Sequence, residues 1–205
     1  VPAEQAIVEI GSWVGKSTVW LAKGAMAGQN CRVYSIAPHA QTRIDRGLGK
    51  VSTYPAFLSN IAKAKVDGII VPFSGSSIAV SECWQKEVGL LWLDVSHDYK
   101  DIEHHFLCWK PHLSMNALVA LHDCDHPGLA EFVDNHFRFS SDFTVVHSID
   151  TVIVARRVIC AHYWDIDPQK QEPVGTVGHG GTPPVFSLRP AAAKEVENKT
   201  VLGTE

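Results

Sequence analysis

Residues 9–18 read EIGSWVGKST, and the fold turns on how this stretch is read. A phosphate-binding P-loop has four residues between its first Gly and the Gly-Lys-Ser/Thr, because the loop must wrap a phosphate with its amides. Here Gly11 and Gly15 enclose three, Ser12, Trp13 and Val14. The other reading is a short strand ending near an acid, Glu9, followed by a glycine turn. Such a turn sets backbone against a ligand at the carboxyl edge of an open α/β sheet. Taken alone, the stretch also fits a plain turn joining strand to helix.

The elements downstream narrow the choice. AIVEI (6–10) is an apolar strand, and KSTVWLAKGAMA (16–27) carries apolar residues at helical spacing up to Gly28. RVYSI (32–36) is a second strand. Ser52 or Thr53 caps the next helix, with Pro55 in its first turn and FLSNIAKA behind it. GIIVPF (68–73) and GLLWLD (89–94) follow as strands separated by a helix through IAVSECW. YKDIEHHFLCWKPHL (99–113) reads as a helix with Ile102, Phe106, Trp109 and Leu113 on one side. ALVALHD (117–123) is a fifth strand, with GLAEFVDNHF as the helix after it. DFTVVHS and DTVIVARR then leave no room for a helix between them, so residues 142–147 and 151–156 pair as a hairpin. Five βα units and a terminal hairpin imply a mostly parallel sheet covered on both faces, with an antiparallel strand near one edge.

Bulk properties exclude several classes. The 205 residues are 45% hydrophobic and carry a formal charge of −4, with 18 Lys and Arg against 22 acids. One core-bearing domain is expected over 1–160, and no basic footprint for nucleic acid is present. No apolar run reaches the roughly 20 residues that span a bilayer, and no secretory signal is visible. The five cysteines have no metal-binding spacing, and most lie in apolar runs, which points to buried thiols in a reducing cytoplasm. Residues 161–205 are rich in Pro and Gly and read as a C-terminal extension. The chain opens on Val1 close to its first strand, so a preceding segment is expected.

VEIGSWVGKST, VYSIAPH, LLWLDVSHDYKDIEHHFLCWKPHL and ALVALHD stand in that order at the ends of strands one, two, four and five. Together they resemble the class I S-adenosylmethionine-dependent methyltransferases over about residues 6–156. The likeness is greatest to the branch holding macrolide-sugar (macrocin) and aminocoumarin-sugar O-methyltransferases and cephalosporin hydroxylase-like proteins. The resemblance implies a Rossmann-like α/β fold whose seven-stranded sheet ends in the hairpin. It implies S-adenosyl-L-methionine as methyl donor, a small-molecule acceptor carrying a sugar, and a divalent metal, magnesium or manganese. Homo-oligomer formation is left open.

Residue by residue, the resemblance sets Glu9, Gly11 and Ser12 against the methionine part of the cofactor, with Ser17 nearby and Asp94 at its edge. Ser76 and Ser77 fall at the adenine. The acid that usually holds the ribose hydroxyls is replaced by Ala37, and Ser76 stands where an acid is often found. Asp94 ends strand four, and His122 and Asp123 end strand five, 28 and 29 residues further on. This is the spacing of the family's metal ligands, with His122 in place of one acid. His97 occupies the turn of the catalytic base, and Asp98 replaces a small residue. Two alternatives stand beside the transferase: a methyltransferase-like protein that has lost catalysis, motivated by Ala37, Ser76 and His122, and a P-loop-type nucleotide hydrolase.

Overall fold

The computed structural model describes residues 1–39, 42–43 and 50–158. The chain divides into units 1–162 and 163–205. All described residues belong to the first, and the extension expected over 161–205 lies outside them.

Seven strands form one sheet: β1 (Ala6–Ile10), β2 (Val33–Ala37), β3 (Ile70–Ser74), β4 (Val88–Leu93), β5 (Leu113–Leu121), β6 (Phe143–Ile149) and β7 (Val152–Arg157). Their spatial order is β3-β2-β1-β4-β5-β7-β6. The pairs among β1 to β5 are parallel, whereas β7 runs antiparallel to both β5 and β6. The expected hairpin is therefore present, turning at Asp150-Thr151 with Asp150 at φ +50°. A separate two-residue ladder joins Thr42–Arg43 to Lys50–Val51.

Helices α1 (Lys16–Ala27) and α2 (Tyr54–Lys63) cover one face of the sheet. Helices α3 (Ser77–Glu82), α4 (Tyr99–Trp109) and α5 (Pro127–Val133) serve the other. Alternation along β1 explains how one strand supports both layers. Val8 and Ile10 enter the core with Leu91, Ile102, Phe106 and Phe132, while Ile7 enters the core of Ala22, Val33, Phe57 and Ile61. Burying each such large side chain stabilises the fold by about 1.5–3 kcal/mol. Phe106 is the hub of the first core, meeting Phe132, Phe137 and Phe143 edge-on at 5.3, 5.7 and 5.6 Å.

Three boundaries differ from the sequence reading. The helix expected through Leu113 stops at Trp109, because Pro111 has no amide to donate; Lys110–His112 form one tighter turn. Leu113 is buried as expected, but in β5, which begins four residues earlier than its apolar run. The extra length is taken up by an irregularity in register opposite Gly89, with Asn116 at φ +62°. Similarly, α5 ends at Val133 and is continued by a wider turn over Asp134–Arg138.

Candidate active site

The turn after β1 is built on backbone contacts that side chains would forbid. Gly11 has φ +92°, and a Cβ there would lie 1.8 Å from the carbonyl oxygen of Asp94. The amide of Gly11 donates to Ile36 O and that of Asp94 to Ile10 O, each at 2.9 Å. The ends of β2, β1 and β4 are thus locked together. Gly15, at φ +88°, starts α1.

Glu9 lies beneath this turn and is fully buried. Its carboxylate accepts hydrogen bonds from Ser17 at 2.5 Å, Thr18 at 2.5 Å and Ser35 at 2.9 Å. Ser35 is bonded in turn to the buried Ser12 hydroxyl at 2.5 Å. Burial raises the Glu9 pKa above the ordinary range, and the hydroxyls pull against that rise. With its oxygens committed to hydroxyls, Glu9 braces the turn from below.

Two cavities meet at the carboxyl edge of the sheet. One, of about 910 Å³, is lined by Gly11, Ala37, Ser76, Ser77, Asp94 and Asp123 among others. The second, of about 750 Å³, runs along α1 past Ser12, Ser17 and Trp92. Gly11, Trp13, Asp94 and His122 border both. Trp13, 60% exposed, walls the place where they join.

At that junction Asp94, His122 and Asp123 each offer a ligand atom, all within 4.8 Å of one another. His122 Nδ1 stands 3.4 Å from Asp94 Oδ1 and 3.3 Å from Asp123 Oδ1. That nitrogen is buried and makes no hydrogen bond among the described residues. Trp92, on β4, stacks on the His122 ring at 6.2 Å and steadies it. Burial raises the pKa of Asp94, with the nearby Asp123 adding to the rise and His122 opposing it. Two carboxylates and an unpartnered imidazole nitrogen fit a divalent cation, and the mixed nitrogen and oxygen set suits manganese better than magnesium.

His97 faces the same cluster from the loop after β4, with Nε2 3.2 Å from Asp123 Oδ2. Its ring stacks face to face on His126, centroids 3.8 Å apart and planes within 6°. The backbone beneath is equally close: a Cβ on Gly128 would lie 2.5 Å from His97 O. Asp98, whose presence the sequence left without a role, caps α4 by accepting from the amides of Lys100 and Asp101 at 3.0 and 3.2 Å.

Three histidines escaped the sequence reading. His105 is bonded through Nδ1 to the Ser77 hydroxyl at 2.7 Å and lines the larger cavity. His126 supports His97. His39 lies buried beside Ala37 and bonds Thr53 Oγ1 at 3.0 Å. Each contact joins residues 14–29 positions apart, and only the position of His39, just past a strand end, was visible beforehand.

A family profile described as "Methyltransferase domain" matches residues 8–124. The chain belongs to the methyltransferase-domain family. Its fold is shared with solved methyltransferases. The O-methyltransferase TomG from Streptomyces achromogenes, involved in tomaymycin synthesis and solved with S-adenosylmethionine, aligns at TM-score 0.57 and 19% identity. That alignment covers 76% of this chain and 74% of TomG. The O-methyltransferase NovP aligns at TM-score 0.60 and 13% identity, over 76% and 72% of the two chains. CalS11, a calicheamicin methyltransferase, aligns at 0.55 and 16%, over 74% and 72%. No curated protein matches in sequence.

The methyltransferase is thus a class I, S-adenosylmethionine-dependent enzyme with a Rossmann-like sheet. The P-loop alternative falls: the short glycine turn belongs to this family, and an antiparallel β7 sits inside the sheet. No helix among the described residues is long and apolar enough to cross a membrane.

Proposed function

We propose that the methyltransferase transfers the methyl group of S-adenosylmethionine to a hydroxyl of a sugar or sugar-bearing metabolite, assisted by a divalent cation at Asp94, His122 and Asp123. The observation that carries this reading is the convergence of those three side chains at the mouth of both cavities. Hydroxyl chemistry is supported by the similarity of the fold to two O-methyltransferases, and the sugar by the motif after strand four.

The larger cavity holds the donor, with Gly11 against its methionine end and Ser76 and Ser77 toward its adenine. Asp94 and His122 lie where the two cavities join, so donor and acceptor meet there. A bound cation supplies positive charge that lowers the pKa of a sugar hydroxyl, which is otherwise a poor acid. With Nε2–H donating to Asp123, the other ring nitrogen of His97 accepts the hydroxyl proton as the oxygen attacks the methyl carbon; the new O–C bond forms as the C–S bond breaks. The products are the methyl ether, S-adenosylhomocysteine and a proton on His97. Asp123, 3.2 Å from His97 Nε2, orients that ring and offsets its gained charge. The four described cysteines are unpaired, which accords with a cytoplasmic enzyme.

The test is methyl transfer from labelled S-adenosylmethionine to a panel of sugar nucleotides and glycosides, with manganese, magnesium or EDTA. Metal-dependent labelling of a sugar hydroxyl that Asp94→Ala abolishes is the expected result. Labelling indifferent to EDTA and to that substitution overturns the metal-assisted reading.

A further inference from the structure

In open α/β sheets a nucleoside bound at the turn after the first strand lays its ribose over the end of a neighbouring strand, where an acid accepts from the hydroxyls. In this methyltransferase that strand, β2, ends in Ala37, which has nothing to offer a diol. Two residues on stands His39, a side chain with spare hydrogen-bonding capacity and no described use for it.

His39 is held from several sides. Its backbone is left-handed, with φ +50°. Its carbonyl accepts from the amide of Thr53 at 3.1 Å, and its Nδ1 bonds the Thr53 hydroxyl at 3.0 Å. The ring packs against Tyr54 and Phe57 of α2, both at 5.1 Å between centroids. The residue is 3% exposed, and among the described residues Nε2 has no partner. His39, Ala37 and Thr53 all line the 910 Å³ cavity. A buried imidazole nitrogen without a partner is costly unless a ligand completes it. Burial also lowers the His39 pKa, so the ring is neutral, with one nitrogen donating and the other accepting.

We propose that His39 binds the ribose of the S-adenosyl ligand through Nε2, taking over at the end of β2 the contact that Ala37 cannot make. If Thr53 accepts from Nδ1–H, then Nε2 accepts from a ribose hydroxyl; if Thr53 donates to Nδ1, then Nε2–H donates to a ribose oxygen. Either tautomer makes one bond to the diol, where a carboxylate would take two. The site therefore distinguishes one hydroxyl of the pair from the other.

The inference rests on the reading that this cavity takes an S-adenosyl nucleoside, and the test separates the two. Calorimetry compares S-adenosylhomocysteine with its 2′-deoxy and 3′-deoxy analogues, on the wild-type protein and on His39→Phe, which keeps a ring against Tyr54 and Phe57 but removes both nitrogens. A His39→Gln variant, with unchanged circular dichroism required of both, guards against loss of fold. The wild type should bind one deoxy analogue about tenfold more weakly than the parent, as loss of one hydrogen bond implies. His39→Phe should bind the parent about tenfold more weakly and no longer distinguish that analogue. His39→Gln should recover part of the loss. Equal weakening of all three ligands by His39→Phe, or no weakening, overturns the role of His39. Failure of the wild type to bind S-adenosylhomocysteine at all removes the cavity reading, and this inference with it.

Discussion

Asp94 Oδ1 and His122 Nδ1 stand 3.4 Å apart at the ends of two adjacent parallel strands, on side chains about one-third exposed. With Asp123 they make up the proposed cation site. Asp94→Ala should abolish manganese binding, followed by calorimetry or by electron paramagnetic resonance of the free ion, and should remove turnover. Because the residue ends a strand, the melting temperature should change little. His122→Asp should keep metal dependence but move the preference toward magnesium, an oxygen-seeking ion.

His97→Ala should reduce the transfer rate by about 10²–10⁴-fold if its nitrogen takes the acceptor proton, while leaving metal affinity nearly intact. His126→Ala, which removes only the stacked ring, should give a smaller loss of the same kind. Single-turnover rates with saturating donor and acceptor would measure both.

Glu9 carries a stability prediction whose sign follows from its burial. Its pKa in the folded chain is raised above the ordinary glutamate value, first by burial. Well below that ordinary value both folded and unfolded chains hold the proton, and Glu9's favourable contribution is fully present. As pH rises, the unfolded chain releases its proton first, so the contribution declines until the folded carboxyl has also ionised. Glu9→Gln carries no such proton. Its stability relative to wild type should therefore improve with pH from the ordinary glutamate value upward and then level off, in urea denaturation at several pH values. Glu9→Ala, which strands the hydroxyls of Ser17, Thr18 and Ser35, should cost about 3 kcal/mol or more.

Gly11→Ala should be poorly tolerated. A left-handed backbone costs a non-glycine residue about 1–2 kcal/mol, and the added methyl would overlap the Asp94 carbonyl. The expected outcome is a lowered melting temperature together with loss of S-adenosylhomocysteine binding. A Gly11→Ala protein that binds the ligand normally would show that the turn is a connection only.

Ala37→Asp should tighten S-adenosyl binding, since a charge-assisted hydrogen bond to the ribose contributes about 1.5–3 kcal/mol. Calorimetry showing no change would mean that the end of β2 is not at the ribose.

What was legible in the chain was whatever a short stretch determines. Apolar runs such as AIVEI and GLLWLD marked the buried strands, and the residues at their ends, Gly11, Asp94, His122 and Asp123, came to one edge because parallel strands share a direction. Glu9 could be located but not given its partners, because its role is decided by hydroxyls from α1 and β2. His39, His105 and His126 depend on Thr53, Ser77 and His97, each on a different element, and no local pattern encodes that pairing. The early start of β5 was hidden because the polar residues Ser114 and Asn116 interrupt its apolar run.

The centre formed by Asp94 and His122 borders a cavity on either side. A reaction chamber with two doors has consequences for the order of events. With the donor in one cavity and the acceptor in the other, as proposed, neither substrate must pass through the space of the other, so the two should load in either sequence and their products leave independently. Initial velocities measured against both substrates should give intersecting lines, and S-adenosylhomocysteine should compete with the donor while leaving the acceptor's own door unobstructed.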